Sequence, residues 1–146
     1  MKIRLMTIKD YPNVYDMWLS CKGMGFNNVD DSKDGIEKFL NRNPNTCFVA
    51  IENNIVVGAV IAGHDGRRGY IYHLAVNPDY RNKGIGSSLV NNVMNALEAE
   101  GINKVALLTF KRNEVANAFW GKQGFTNRED INYRNKQIKE LVRIDT

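Results

Sequence analysis

The chain has 146 residues, 43% hydrophobic and 25% charged, a length and balance that suit one folded domain over 1–146 and exclude a disordered or fibrous chain. A net charge of +4 permits an anionic ligand, but it is too modest and dispersed to argue for nucleic acid, and no aromatic–basic array or recognition motif supports that partner. No apolar run approaches the ~20 residues of a membrane span and "MKIRLMTIKD" lacks the apolar core of a signal peptide, so the expected setting is cytoplasmic, without a membrane partner.

"KIRLMT" alternates like a strand, with Ile3 and Leu5 on one face. Asp10 is placed to cap a helix whose first turn holds Pro12, and Val14, Met17, Trp18 and Cys21 form its core-facing stripe. "GMGFNNVDD" reads as a flexible loop, followed by a second short helix marked by Ile36, Phe39 and Leu40. Cys21 and Cys47 lie in apolar runs without metal-ligand or CxxC spacing and are expected to be buried free thiols, with no metal bound.

Two apolar runs, "TCFVAI" and "IVVGAVIAG", flank Glu52-Asn53-Asn54, where Asn tolerates the left-handed backbone of a tight hairpin. "HDGRRG" is a second turn leading into the strand "YIYHLAV", which completes an antiparallel meander. A helix from Gly84 carries Ile85, Leu89, Val90, Val93, Met94 and Leu97 on one stripe and stops at Gly101. "KVALLTF" reads as a buried strand. Asn113 caps a helix bearing Val115, Ala116, Phe119 and Trp120, closed by "QGF", and "KQIKELVRI" reads as a final strand. The order βααβββαβαββ implies an α/β domain: one mixed, mostly antiparallel central sheet flanked by helices.

Between the meander and the Gly84 helix lies "NPDYRNKGIGSSLV". A lone Gly-x-Gly is often only a turn. Here it follows a strand and opens a helix, so free N–H groups converge at the positive end of the helix dipole. Gly84 and Gly86 would admit an anion to the main chain, Arg81 and Lys83 add charge, and Ser87 adds a hydroxyl. The P-loop pattern Gly-x-x-x-x-Gly-Lys-Ser/Thr is absent. A dinucleotide fingerprint fails as well, because Leu89 stands where its third glycine would be and the loop follows an antiparallel meander.

"HLAVNPDYRNKGIGSSLV" resembles the acetyl-CoA-binding motif of the GNAT superfamily of N-acetyltransferases, Arg/Gln-x-x-Gly-x-Gly/Ala. "NEVANAFWGKQGF" is similar to the superfamily's next segment at Asn113, Ala116, Phe119, Gly124 and Phe125, and "GHDGRRGYIYHLAV" resembles a bacterial branch of small, poorly assigned acetyltransferases. The resemblance implies that the amides of Arg81, Asn82, Lys83, Gly84, Ile85, Gly86 and Ser87 hold the CoA pyrophosphate. It implies that main-chain groups of Leu74 and Val76 pair with the pantetheine arm, with a backbone N–H there polarising the acetyl carbonyl. Asn113 would contact pantetheine, with Phe119 and Trp120 beside it. Two readings stand for Lys122: a ligand of the nucleotide phosphates, or a solvated helix lysine.

The implied reaction is direct attack of a primary amine, on a small molecule or a protein lysine, upon the thioester of acetyl-CoA. It needs a route for the amine proton and a donor to the departing thiolate. The superfamily's usual donor is a Tyr where this chain has Trp120, whose indole is too weak an acid. Trp120 only positions the sulfur, or a nearby Tyr substitutes, or the thiolate leaves unprotonated. The branch acting on ribosomal-protein N-termini has a Glu where Leu108 stands, and the branch acting on histone lysines has a Glu where Tyr70 stands. Tyr70 and Tyr72 share a strand face by alternation and are the catalytic candidates, as groove walls able to order a proton-carrying water. Strict alternation puts His73 on the opposite face, as a packed or surface histidine. The acceptor pocket would be formed by the first two helices, "GMGFNN" and "NREDINYRNK", with Phe26 and Tyr133 as walls or loop anchors and Asp30, Asp31, Glu129 and Asp130 as acids. A non-catalytic CoA-binding module is the alternative function. A homodimer, paired through an exposed C-terminal strand, is the expected form of any self-association.

Overall fold

The computed structural model describes residues 1–144. Strand β1 (Lys2–Leu5) leads through a 3-10 turn to α1 (Tyr11–Leu19), and α2 (Lys33–Arg42) precedes the meander β2 (Phe48–Glu52), β3 (Ile55–His64) and β4 (Gly69–Val76). Then come α3 (Ile85–Ala99), β5 (Val105–Leu107) and α4 (Glu114–Lys122). The strands form one sheet in the order β1-β2-β3-β4-β5, antiparallel throughout except for the parallel β4–β5 pair. The expected mixed, mostly antiparallel sheet is therefore present.

The sheet separates two apolar layers. On one face α1 and α2 bury Val14, Trp18, Ile36 and Leu40 against Val49, Ala59 and Ile61. On the other, α3 and α4 bury Leu89, Val93, Leu97 and Trp120 against Ala50, Val60 and Ile71. The β2–β3 hairpin turns through Asn53 (φ 51) and Asn54 (φ 61), both left-handed as the dipeptide required. Gly101 (φ 80) ends α3 as expected.

Four local expectations are corrected. Asp10 does not cap α1 with its side chain; its carboxylate instead accepts the Thr7 N–H (2.9 Å) and both ends of the Arg4 guanidinium (2.8 and 2.7 Å), closing the β1–α1 turn. Met94 lies on the rim of its helix and is exposed, and Val115 is exposed because it lines the open groove beside α4 and not the core. "KVALLTF" forms only the short, half-exposed β5, since no further strand covers its outer edge. Among the described residues no strand follows α4, so the last two strands of the expected order are missing. Residues 126–140 are all exposed, and their apolar side chains are interrupted by charges and amides that no second face of the fold pairs. The strand on which pairing between two copies was expected is thus not formed.

Candidate active site

Strand β4 and the helix after it build one wall of a cleft of about 670 Å³, whose other walls are the α1–α2 loop and α4. Asn77 N–H bonds the Val57 carbonyl (2.8 Å), so by antiparallel alternation the main-chain groups of Leu74 and Val76 point away from β3. The β4–β5 ladder ends at the Ile71–Leu107 pair. Beyond it Leu74 and Val76 face the cleft, as an open strand edge able to take an extended ligand. The Val76 carbonyl is already engaged by Arg81 Nε (3.3 Å) and the Cys21 thiol (3.6 Å).

The loop beyond β4 supplies the phosphate-sized end. Arg81, Asn82, Gly84, Ile85, Gly86 and Ser87 all line the cleft. The two glycines have different jobs. Gly84, the N-cap of α3, is left-handed (φ 79), and a Cβ added there would meet nothing within 4 Å. Gly86 is a close approach: a Cβ there would stand 3.2 Å from the ring of Phe119, so its missing side chain lets α4 pack on the first turn of α3. Arg81 turns inward, its Nη2 3.7 Å from the Cys21 sulfur, so it braces the loop as well as charging it. Ser87 Oγ accepts Gln123 Nε2 (2.8 Å) and keeps its own proton free to donate.

The remaining expected residues divide. Asn113 Oδ1 accepts Ala116 N–H (3.1 Å), capping α4, and the residue also lines the cleft with Phe119 and Trp120. Trp120 is buried between Phe119 and Phe125, with both ring centroids at 5.1 Å. Lys83 and Lys122 are exposed and do not line the cleft; the Lys83 ammonium lies 5.1 Å from the Tyr80 ring centroid.

Sequence reading missed Cys21 and Met24 as cleft residues and Asn117 as the organiser of the β5–α4 loop. Asn117 accepts the Thr109 hydroxyl (2.6 Å) and donates to the Phe110 (3.0 Å) and Asn113 (2.9 Å) carbonyls. The i, i+3 stripe that flagged Cys21 as core was correct for its burial, and nothing local signals that β4 ends beside it.

Tyr70 and Tyr72 lie outside this cleft, farther back along β4 on the α1–α2 face, as expected of residues sharing a side. Their ring centroids are 6.2 Å apart, and Phe39 of α2 meets Tyr72 edge-on at 5.6 Å. Burial, then Tyr70, Tyr133, Asp30 and Asp65, push the Tyr72 phenol above its ordinary range, so it keeps its proton at neutral pH. His73 corrects strict alternation. The β3 pairing passes from Ile61–His73 to Ala62–Ile71, leaving Tyr72 as the extra residue of a β-bulge. The bulge turns His73 to the same α1–α2 face. There its Nε2 pairs with Asp31 Oδ1 at 2.7 Å, and Trp18 and Phe26 pack edge-on against the imidazole. Asp31 also accepts Asn27 N–H (2.8 Å), so one buried carboxylate ties the α1–α2 loop to β4. Phe26 is buried and stacked on Trp18 at 4.8 Å, a loop anchor, whereas Tyr133 is exposed.

Both thiols are free and buried, and burial raises Cys47 to about 12. With its thiol held protonated, Cys47 is not a poised nucleophile. No cluster of His, Cys, Asp and Glu able to hold a metal occurs among the described residues, and none of their helices is long and apolar enough to cross a membrane.

Comparison with known proteins agrees with this geometry. Residues 11–125 match the profile of the Acetyltransferase (GNAT) family. An acetyltransferase of Pectobacterium atrosepticum is 31% identical over 140 residues, covering 96% of this chain and 98% of its own. One from Sodalis glossinidius is likewise 31% identical over 140 residues, with 96% and 97% coverage. Among solved structures, Ard1 from Thermoplasma volcanium superposes with a TM-score of 0.76 at 22% identity, over 86% of this chain and 82% of that one. The PaiA N-acetyltransferase of Thermoplasma acidophilum, in complex with coenzyme A, gives 0.75 at 18% identity, over 86% and 89%. At these identities the solved structures speak to the fold alone, whereas the profile and the curated relatives span the site. The chain belongs to the GNAT acetyltransferase family and is an N-acetyltransferase of the acyl-CoA:amine class.

Proposed function

We propose that the protein transfers the acetyl group of acetyl-CoA directly to a primary amine, on a small molecule or a protein lysine, in a ternary complex. The observation that carries this reading is continuity. The open edge of β4 at Leu74 and Val76 leads, through a short 3-10 turn at Pro78–Tyr80, to the left-handed Gly84 at the head of α3. An extended pantetheine arm paired to β4 therefore delivers its pyrophosphate to the free N–H groups of α3, where Arg81 and Ser87 add charge and a hydroxyl.

At the thioester end the Leu74 amide polarises the carbonyl, and Asn113 and Phe119 flank the pantetheine. Trp120, held between two aromatic rings, shapes the sulfur's surroundings and gives it no proton. With both cysteines free and buried, direct attack by the amine is the route the residues favour. The raised phenol of Tyr72 is unsuited to act as a base; it walls the acceptor groove with Tyr70 and orders the water that carries away the amine proton. Lys83 and Lys122, both exposed outside the cleft, are left to the solvated rim.

Acetyl-CoA is expected to raise the melting temperature, and a thiol-release screen over polyamines, amino acids, aminoglycosides and lysine peptides should find turnover. No thermal shift at millimolar acetyl-CoA overturns the reading. Binding without release on any amine overturns the transfer step.

A further inference from the structure

Among the described residues no Asp or Glu lines the cleft, and the charged side chains that do line it are Arg81 and Lys22. Arg81 is partly engaged within the protein, through Nε on the Val76 carbonyl (3.3 Å) and Nη2 beside the Cys21 sulfur (3.7 Å). Each phosphate of a diphosphate carries a negative charge at neutral pH, so one half-engaged guanidinium leaves charge there to be balanced. Lys83 and Lys122 lie outside the cleft. Lys22, which no motif in the sequence marked, lies inside it.

The residues on either side of Lys22 fix where it stands. Cys21 reaches the phosphate loop: its thiol donates to the Val76 carbonyl (3.6 Å), and its sulfur meets the Arg81 guanidinium. Gly23 reaches the opposite wall. Its left-handed backbone (φ 74) lies so close to the β5–α4 loop that a Cβ there would stand 3.3 Å from Asn113 Nδ2. Gly25 (φ 77) continues that approach, with the Phe110 ring 3.6 Å from its Cβ position. Residues 21–23 therefore cross from Arg81 to Asn113 as a strap, with Lys22 at its middle. Consecutive Cα atoms are about 3.8 Å apart, which keeps Lys22 within one residue of the Arg81 contact. Lys22 is exposed and forms no ion pair among the described residues, so its ammonium is available to a ligand.

We infer that Lys22 is the second cation of the CoA diphosphate, acting with Arg81, so that the start of the α1–α2 loop straps the donor into its cleft. A lysine suits this place, because a point charge on a flexible stem follows a phosphate without demanding a fixed geometry. The phosphate site is thereby completed by a segment some sixty positions away from the glycine loop, as the Cys21–Arg81 contact already shows. The inference rests on the acetyl-transfer reading above, which places the diphosphate at the head of α3.

The test measures dissociation constants for CoA and for pantetheine, which lacks the diphosphate, in the wild type, Lys22→Met, Lys22→Arg and Lys122→Met. Melting temperatures without ligand serve as the control for folding. Lys22→Met should weaken CoA about tenfold and leave pantetheine within about twofold. Lys22→Arg should recover most of the loss, and Lys122→Met should bind CoA like the wild type. Added salt should weaken CoA binding to the wild type more than to Lys22→Met. CoA affinity unchanged in Lys22→Met would overturn the inference, and so would equal losses for CoA and pantetheine, which would make Lys22 a packing residue of the loop. An equal loss in Lys122→Met would overturn it too, by reducing the effect to overall charge. Absence of CoA binding in the wild type would instead bring down the transfer reading beneath it.

Discussion

The proposed donor and acceptor sides of the cleft are built by different means. On the donor side, the end of β4, its glycine loop and the start of α3 lie within thirteen residues, Leu74 to Gly86, and the site is largely backbone: an open strand edge, a left-handed glycine and helix amides. On the acceptor side the α1–α2 loop is held by side chains distant in sequence. His73 reaches Asp31 across 42 positions, and Asn28 is bonded to Val142 across 114. A backbone site tolerates little change at its glycines, whereas a site held by tertiary pairs should fail through stability before it fails through chemistry.

The largest expected effect breaks the donor side. Gly86→Glu puts a carboxylate where the proposed function places the pyrophosphate, and forces Phe119 aside. A like charge about 4 Å away at an effective dielectric near 20 costs roughly 4 kcal/mol, so acetyl-CoA affinity should fall at least 100-fold and its thermal shift vanish. Gly86→Ala only presses the Phe119 ring at 3.2 Å, and should cost about 1 kcal/mol of stability with binding retained. Titration calorimetry on both variants would show whether charge or packing governs. Equal losses of affinity would mean the glycine serves helix packing alone.

The same contrast explains what could be read from the sequence. "RNKGIG" and the Asn-Asn turn declare themselves because single residues fix φ, and that requirement is visible within a few positions. The facing of His73 was not legible. It depends on a bulge at Tyr72, which is a property of the β3–β4 pairing and not of either strand. Apolar spacing in "KQIKELVRI" suggested a strand, but pairing needs a partner edge and a face to bury, and Ile138 has neither and stands fully exposed. Local geometry was therefore readable, whereas contacts between distant segments were not.

Asp31→Ala probes the acceptor side. It leaves the His73 Nε2 and the Asn27 N–H without their carboxylate in a buried setting, at a cost of about 3 kcal/mol. Thermal denaturation should show a fall in Tm of roughly 10 °C, while acetyl-CoA still shifts the melting point of the folded fraction. Loss of donor binding without loss of stability would show that the pair belongs to the donor machinery and not to the loop scaffold.

Acid should act on a third tie, outside both halves of the cleft. The Arg4 guanidinium, opposed by burial and helped by the Thr7 N–H, holds Asp10 below its usual value of 3.8. A carboxylate depressed in the folded state stabilises fully above the unfolded value, and that contribution is lost as pH falls through the folded one. Wild type and Asp10→Asn should therefore differ most near neutrality and converge in strong acid. The gap at neutral pH should be about 1–2 kcal/mol, small because Arg4 is well exposed. Denaturant titrations at several pH values check this, and a gap that widens toward acid would contradict the assignment.

The smallest effect tests how far the acceptor scaffold extends into the tail. Val142 and Ile144 bond the α1–α2 loop through Asn28 and Phe26, and Arg143 stacks at 4.6 Å on Phe110, a ring that also carries Arg112 at 4.3 Å. Because Arg112 duplicates the cation and the tail keeps its hydrogen bonds, Arg143→Ala should cost only about 0.5–1 kcal/mol. Hydrogen exchange at the Val142 and Ile144 amides should quicken by less than about tenfold, with that of the Asn27 amide, held by Asp31, unchanged. If Asn27 exchange quickens as well, the tail is holding the loop that Asp31 anchors, and the acceptor half of the cleft depends on the C-terminal segment as much as on β4.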